Sequence, residues 1–426
     1  MMTDVELAIH FFLQLLVVIV VCRLVGLLGR KLGQTQVVSE MIAGVLLGPS
    51  LFGAIWFSGQ QWLFPKTMEI AGETVKHPSM SILYVVSQLA LVLYMFQVGL
   101  EFDLKLMKSR GGSAFLVSAS GIVVPILLGG AAGFLLHGRS DCFQPNVQVM
   151  SAAFFVGASM SITAFPMLAR IIYEAGIART SMGTLALGAA AFDDGIAWCL
   201  LAIVLSSVKG DPSFAAKAIG GGALFAILMF GVASKALVRL EKWREKVGFL
   251  DSNMVIWSCS LLLAGASFTD SIGIYAVFGA FIVGASFPKG KLSEDLQKMI
   301  GLLVTALLLP TFFVYSGLNT KIGLISTWEL IGITALLTII AIIAKGVACT
   351  LAAKAAGEPW PEASKIGVLM NSRGLIELII LNIGLEKGVI TPTFFTMMVI
   401  MAIVTTVMAS PIFQWLQRKY PTPVVA

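Results

Sequence analysis

Charged side chains are scarce in this sequence. Asp, Glu, Lys and Arg account for 12% of its 426 residues, against about 25% in an ordinary soluble domain. Hydrophobic residues account for 58%, and charge-poor stretches recur along the whole length. A water-soluble fold of this size could not cover its surface, so the composition indicates a polytopic α-helical membrane protein. It argues against nucleic-acid-binding proteins, secreted disulfide scaffolds and soluble enzymes.

Cysteine and histidine are also rare. The five cysteines form no metal or redox spacing. The three histidines, His10, His77 and His137, give no metal spacing either. The sequence therefore predicts neither a resident metal nor a cofactor. The net charge of +6 follows from the distribution of basic residues between loops, rather than from an anionic partner.

Runs without Asp, Glu, Lys or Arg mark the candidate membrane crossings, because a span needs about 20 mostly apolar residues. When these runs are extended to nearby helix-capping residues, they predict thirteen transmembrane helices. The first run is too long for a removable signal peptide and lacks a small-residue cleavage site. The predicted spans cover residues 6–28, 36–49, 80–100, 113–136, 148–173, 180–207, 214–237, 252–269, 272–288, 299–318, 328–353, 364–385 and 392–416.

Basic residues divide unequally between alternate loops. With the N-terminus outside, nineteen of the 29 lysines and arginines fall on the cytoplasmic side, seven on the other side and three within spans. The positive-inside rule therefore predicts an outer N-terminus and a cytoplasmic C-terminus in a cell (inner) membrane. Residues 50–79, which include Trp56 and Trp62, are long enough to lie along the outer interface.

A faint internal similarity links the two halves of the chain. Residues 43–50 (AGVLLGPS) in the second span resemble residues 279–286 (GAFIVGAS) in the ninth. Residues 96–100 (FQVGL) in the third span resemble residues 314–318 (VYSGL) in the tenth. Both pairs are seven spans apart, and an odd offset places the two copies in opposite orientations across the bilayer.

Inverted-topology repeats of this kind are typical of secondary transporters. We expect a first repeat in residues 1–207 (spans one to six) and a second in residues 252–426 (spans eight to thirteen). The seventh span and a basic cytoplasmic linker, residues 208–251, would connect them.

Three charged residues, Asp193, Asp194 and Lys345, lie inside predicted spans. Charged residues in such positions are expected to have a function. Asp193 and Asp194 lie roughly 20 Å from either end of the sixth span at about 1.5 Å per residue, a depth at which carboxylates cost several kcal/mol unless paired or hydrated. Mutual repulsion and the low dielectric disfavour charge on both, so the pair is expected to exchange a proton or a monovalent cation. Lys345, in span eleven, is expected to be a countercharge, with snorkelling to the cytoplasmic interface as the alternative.

Two spans contain helix-breaking polar patches. Span five carries the hydroxyls of Ser161 and Thr163 followed by Pro166, which suggests an unwound stretch. Freed carbonyls or these hydroxyls could ligate a dehydrated cation. Span twelve, its repeat partner, contains a second predicted break at Asn371, Ser372 and Gly374.

Arg373 and Glu377 lie in the same patch of span twelve. Because they are four residues apart, they are expected to form an ion pair that braces the break rather than to bind the cation directly.

Five stretches together resemble the monovalent cation:proton antiporter superfamily, in particular its Kef-type and plant CHX-type branch. They are residues 32–49, 95–103, 161–170, 192–194 and 370–378. The resemblance implies a thirteen-span fold with a core domain that holds crossed broken helices and a separate dimerisation domain. It also implies a homodimer and elevator-like alternating access.

The resemblance also implies roles for single residues. Asp194 matches the ion-binding aspartate, and Asp193 matches the neighbour that pairs with a lysine, here Lys345. Thr163 matches a residue at the helix break. Kef-type and CHX-type chains usually have Gln or Asn before the aspartate. This sequence has Asp-Asp with a partner lysine instead, which is the combination of residues found in electrogenic sodium/proton exchangers. The chain ends about ten residues after the last span, so the nucleotide-binding gating domain of Kef-type systems is not expected.

The sequence therefore predicts a transporter rather than an enzyme, namely a sodium/proton antiporter in which cation and protons compete for Asp193 and Asp194. A potassium/proton antiporter is the first alternative. A cation channel and a sodium-coupled organic-anion symporter are further alternatives. An intramembrane aspartyl protease is disfavoured, because its two aspartates must face each other from different helices.

Overall fold

A computed structural model of the protein describes residues 3–34, 36–70, 73–102, 111–177, 180–209, 212–318, 320 and 322–421, most of which are helical. Among these residues, three single π-helical turns, Met229–Ala233, Val304–Leu308 and Ile343–Val347, each join two α-helices. In chain order the elements are α1 (Asp4–Lys31), α2 (Gln36–Leu47), α3 (Phe52–Ile55), α4 (Phe57–Leu63), β1 (Thr67–Ile70), β2 (Glu73–Lys76), α5 (Pro78–Glu101), α6 (Gly111–Leu136), α7 (Val149–Ser161), α8 (Phe165–Glu174), α9 (Ser181–Lys209), α10 (Pro212–Leu228), α11 (Ser234–Val247), α12 (Ser252–Ser271), α13 (Ala276–Ser286), α14 (Lys291–Leu303), α15 (Leu309–Gly317), α16 (Trp328–Ile342), α17 (Ala348–Ala355), α18 (Trp360–Met370), α19 (Leu375–Glu386) and α20 (Pro392–Lys419).

Every predicted span overlaps helical residues. Within the described ranges, nine helices are long and apolar enough to cross a membrane. The α13 helix has only 11 residues, and the fifth and twelfth predicted spans are each divided into two shorter helices. The chain is an integral, multi-pass helical membrane protein, and the number of thirteen crossings stays a prediction.

The expectation of an all-α fold is wrong between α4 and α5. There β1 and β2 pair antiparallel, with Thr67 opposite Lys76. Half of the residues in these strands are β-branched, which favours the extended backbone. Trp56, just before α4, and Trp62, within it, are both 63% exposed, as aromatic residues that anchor a chain at a membrane interface are.

One compact unit consists of Met1–Lys31, Ser39–Asp103 and Lys217–Thr320. Two helix crossings inside it are too close for any residue but glycine. Gly44 of α2 lies against the backbone of α15, and Gly99 of α5 lies against Gly284 of α13. Each crossing joins a copy of one repeated motif to a copy of the other.

The second compact unit consists of Leu32–Val38, Leu104–Ala216 and Lys321–Ala426. Its α9 helix packs against α6, α7, α8 and α18, so the middle of α9 lies away from lipid. All eleven predicted site residues belong to this unit. Each unit combines residues from both predicted repeats, so the compact units do not follow the linear division of the chain.

Candidate functional site

Two interrupted helices meet at their breaks. The first break is residues 162–164, between α7 and α8, and the second is residues 371–374, between α18 and α19. The backbone N–H of Ala164 donates to the carbonyl oxygen of Ser372 at 2.9 Å. Gly374 lies so near that a Cβ there would be 2.9 Å from the Cβ of Ala164. The two breaks therefore contact each other through backbone, with no room for a larger residue at position 374.

The crossing gathers four helix ends in a buried region. The last residues of α7 and α18, Ser161 and Met370, bring carbonyl oxygens to it, and the first turns of α8 and α19 bring N–H groups. Such ends carry opposite partial charges of roughly half an elementary charge. The region can therefore stabilise cationic and anionic groups that are only a few ångströms apart.

Pro166 lies at the edge of the first break, as a residue that keeps α7 and α8 from forming one continuous helix. Pro166 is the second residue of α8, after the break rather than in it, and its side chain lies outside the described part of the chain. Proline is tolerated in the first turn of a helix, since an N–H there has no acceptor within the helix. Asn371, Ser372 and Gly374 do lie in the second break.

Asp193, in the middle of α9, has three partners. Its Oδ2 accepts a hydrogen bond from Thr163 Oγ1 at 2.6 Å and lies 2.8 Å from Lys345 Nζ. Its Oδ1 accepts from Ser118 Oγ of α6 at 2.6 Å. The side chains of Asp193 and Lys345 have no solvent exposure. Both carboxyl oxygens of Asp193 therefore have partners, of which the Lys345 ammonium is the charged one.

Lys345 lies in the π-helical turn between α16 and α17. Besides Asp193, its ammonium donates to the carbonyl oxygens of Gly121 at 3.0 Å and of Ser161. All three protons of Nζ thus have an acceptor, and the side chain is fully buried. The alternative that Lys345 snorkels to the interface is therefore wrong.

The π-helical turn also explains a second contact. A π turn leaves a carbonyl without its usual partner, and Asn371 Nδ2 lies 3.4 Å from the carbonyl oxygen of Ile342, just before the turn. The first residue of the second break is thereby connected to the helix that carries Lys345.

Asp194 has a different environment from its neighbour. It is 2% exposed, and within the described ranges neither of its carboxyl oxygens has a hydrogen-bond partner. A buried carboxylate without a partner is strongly disfavoured. Asp194 can therefore remain at this position only with a bound proton, a cation or water molecules.

Arg373 and Glu377 form the second buried ion pair of this unit, with Nη1 and Oε1 3.5 Å apart and no exposure of either side chain. Arg373 Nη1 also points to the carbonyl oxygen of Ser159 in α7, at 3.4 Å. The backbone N–H of Arg373 donates to Thr406 Oγ1 at 2.9 Å. These contacts hold the second break to α7 and α20.

Two predicted ligands differ in orientation. Thr163 Oγ1 is directed to Asp193 and lies 3.3 Å from the carbonyl oxygen of Met370. The hydroxyl of Ser161 instead donates to Ala158 within its own helix, so that only the carbonyl of Ser161 reaches the charged cluster. The sequence reasoning missed Ser118, because a serine in a charge-free span has no pattern that distinguishes it.

A family model described as "Sodium/hydrogen exchanger, transmembrane" matches residues 16–419. The chain is 37% identical over 423 residues to "Na(+)/H(+) antiporter NhaS4" of Synechocystis sp., with 99% of each protein covered. It is 34% identical over 403 residues to "Cation/H(+) antiporter 17" of Arabidopsis thaliana, covering 94% of this chain and 47% of that protein, so it spans about half the length of this plant relative.

The fold is similar to that of a solved structure, the sodium proton antiporter MjNhaP1 from Methanocaldococcus jannaschii. The TM-score is 0.66, the sequence identity is 15%, and the alignment covers 97% of each chain. The match of the family model over nearly the whole length, together with the relative of equal length, shows the family. The chain belongs to the sodium/hydrogen exchanger family of membrane transporters.

Proposed function

We propose that the chain exchanges a monovalent cation, Na⁺, for protons at Asp194. The observation that carries this proposal is the contrast between two adjacent buried carboxyl groups. Asp193 has an ammonium and two hydroxyls as partners, whereas both oxygens of Asp194 lack a partner among the described residues. The carboxyl group of Asp194 therefore binds either a proton or a cation, and the two compete.

Lys345 and Asp193 complete the proposed site. When a cation approaches Asp194, repulsion between the two positive charges weakens the contact between Lys345 and Asp193. Lys345 can then release a proton while Asp193 contributes an oxygen to the cation. If one cation replaces two protons, one from Asp194 and one from Lys345, each cycle moves net charge. Two acids and one base in a fully buried cluster support this electrogenic exchange.

The choice of Na⁺ rests on the acidic pair, since the Asp-Asp set with a lysine resembles that of electrogenic sodium/proton exchangers. Exchange of K⁺ is the alternative, because the remaining motifs resemble those of Kef-type and CHX-type chains. A cation channel is a weaker alternative. Uncoupled, ohmic current would distinguish a channel from exchange driven by a pH gradient.

The further architecture belongs to the same proposal. The paired crossings at Gly44 and at Gly99 with Gly284 support the inverted repeat, because each brings a copy of one motif to a copy of the other. All predicted site residues belong to one compact unit, which supports elevator-like alternating access with a site that moves as one body. A homodimer with an outer N-terminus and a cytoplasmic C-terminus, in the inner membrane, is proposed from the resemblance and the charge distribution.

Exchange measured in proteoliposomes tests this function. The purified protein is reconstituted, a pH gradient is imposed, and proton flux is followed on addition of Na⁺, K⁺ or Li⁺ in turn. We expect Na⁺-dependent flux in the wild type and none in Asp194→Asn. Asp251→Asn is a matched control, because Asp251 caps α12 by accepting from Asn253 N–H and asparagine caps a helix equally well. Flux that persists in Asp194→Asn would refute the site, and flux with K⁺ alone would refute the choice of ion.

A further inference from the structure

The α6 helix contains a proline in its interior. Pro125 is buried and lies near the middle of the helix. A proline inside a helix lacks the N–H that would bond to the carbonyl four residues earlier, and its ring pushes against that carbonyl. Four residues before Pro125 is Gly121, so the sequence of α6 releases the Gly121 oxygen from its usual helical hydrogen bond.

The released oxygen of Gly121 has a partner in the buried cluster. Lys345 Nζ donates to it at 3.0 Å, and both residues are buried. Lys345 also donates to the carbonyl of Ser161, the last residue of α7, and the carbonyls in the last turn of a helix have no N–H partner in their own helix. Both carbonyl oxygens that accept from Lys345 among the described residues are thus left available by helix geometry, one at a helix end and one at a proline.

Glycine at position 121 allows α6 to approach the helix that carries Lys345. A Cβ at Gly121 would lie 2.6 Å from Cys349 Sγ and 3.8 Å from Lys345 Cε. The first of these distances is too short for a real contact, so a side chain at position 121 would force α6 or Cys349 to move. Gly121 therefore provides the close approach, and Pro125 provides the free oxygen.

A second interior proline of the same compact unit has the same arrangement. Pro411 lies inside α20, and four residues earlier the carbonyl of Val407 accepts from Gln34 Nε2 at 2.9 Å. In both helices a side-chain donor from a distant part of the chain therefore bonds to the oxygen that proline releases. The donor at Pro411 is an uncharged amide, whereas the donor at Pro125 is the Lys345 ammonium.

We propose that Pro125 is a positioning residue for Lys345, because the carbonyl that it releases holds the ammonium beside Asp193. An ammonium has three N–H donors, and here they meet Asp193 Oδ2 at 2.8 Å and the carbonyls of Gly121 and Ser161. Loss of the Gly121 oxygen would leave one buried N–H without an acceptor, which is costly. The position of Nζ is therefore set by α6 as well as by the ion pair.

A double-mutant cycle tests this positioning role. In Pro125→Ala the new N–H at position 125 competes with Lys345 for the Gly121 oxygen. In the Lys345→Met background that oxygen has no ammonium to lose. Unfolding by SDS in mixed micelles is measured for the wild type, both single variants and the double variant. Because a hydrogen bond to a charged group is lost only when Lys345 is present, Pro125→Ala should be about tenfold or more less favourable, in the unfolding equilibrium constant, with Lys345 than with methionine.

Two further variants separate the missing N–H from other effects of proline. Pro411→Ala is the matched control, because it also removes an interior proline but releases no acceptor of Lys345, and it should be additive with Lys345→Met within about twofold. Lactic acid at position 125, introduced by nonsense suppression, has the side chain of alanine but no N–H, so its coupling to Lys345→Met should also disappear. Additivity of Pro125→Ala with Lys345→Met, or the same coupling for alanine and lactic acid, would overturn the proposal.

The inference rests on the proposed function only where it gives Lys345 a part in exchange, and the cycle is measured without transport. In proteoliposomes, Na⁺-dependent proton flux should fall about tenfold in Pro125→Ala, the cost of one hydrogen bond to a charged group, and return with lactic acid at position 125. Unchanged flux in the presence of the coupling would refute the part of Lys345 in exchange. The coupling alone decides whether Pro125 positions the lysine.

Discussion

Replacing Lys345 by methionine probes the buried cluster most severely. Methionine has nearly the length of lysine and keeps the packing, but it removes the ammonium 2.8 Å from Asp193. Breaking a buried ion pair from one side costs about 3–5 kcal/mol, because the remaining charge is uncompensated. Asp193 keeps two hydroxyl donors, so we expect about 3 kcal/mol, a change of about a hundredfold or more in the unfolding equilibrium.

The double variant Asp193→Asn/Lys345→Met separates this electrostatic cost from lost packing. Its buried site carries no charge at position 193 or 345, and the amide oxygen of asparagine can still accept from Ser118 or Thr163. Replacing both partners of a buried pair is often close to neutral. Unfolding by SDS in mixed micelles, for the wild type, both single variants and the double variant, gives the coupling energy. We expect at least about 2 kcal/mol of coupling, and additivity within about 0.5 kcal/mol would refute the reasoning.

Three further variants address other contacts. Ser118→Ala removes a hydroxyl bonded to the Asp193 carboxylate, worth about 1.5–3 kcal/mol, and should lower the free energy of unfolding in SDS by about that amount; Ser120→Ala, whose hydroxyl bonds to carbonyl oxygens of Val117 and Ala348 and to no carboxylate, should cost less. Gly374→Val should lower the midpoint of unfolding because the crossing has no room for it, whereas Gly332→Val meets open space. Burial and a neighbouring histidine, His10, lower the pKa of His77, so the unfolded chain binds more protons than the folded chain, and the free energy of unfolding falls on acidification below about pH 6.5. His77→Asn should make this dependence on pH less steep. A dependence as steep as that of the wild type would contradict this reasoning.

The position of the aspartates could be predicted from the sequence because burial of charge in a span is costly. Asp193 and Asp194 interrupt an otherwise uncharged run, and no structural information is needed to see their depth. The polar patch at 371–374 was equally visible, since glycine and polar residues disfavour a helix in apolar surroundings. The structure joins these features through contacts between residues far apart in the chain, such as Thr163 with Asp193 and Ala164 with Ser372.

Other features depend on geometry that a single sequence does not reveal. Ser118 contributes to the site only because α6 packs against α9, whereas Ser159 and Ser258, for example, bond within their own helices. The π-helical turn at Lys345 was not predicted from the sequence, because such turns are rare. Pro166 indicates a break near it, but not on which side, because proline ends a helix or begins one with nearly the same sequence pattern.

The central claim, that a cation and a proton compete for Asp194, is tested most directly by cation binding as a function of pH. Calorimetric titration of the purified protein with Na⁺ gives the apparent dissociation constant at each pH. Competition with the proton of Asp194 predicts that this constant rises about tenfold for each unit of acidification in the range where Asp194 alone releases a proton, and about a hundredfold where Lys345 also releases one; it also predicts that binding is lost in Asp194→Asn. A dissociation constant that does not change with pH, or Na⁺ binding that survives in Asp194→Asn, would contradict the account.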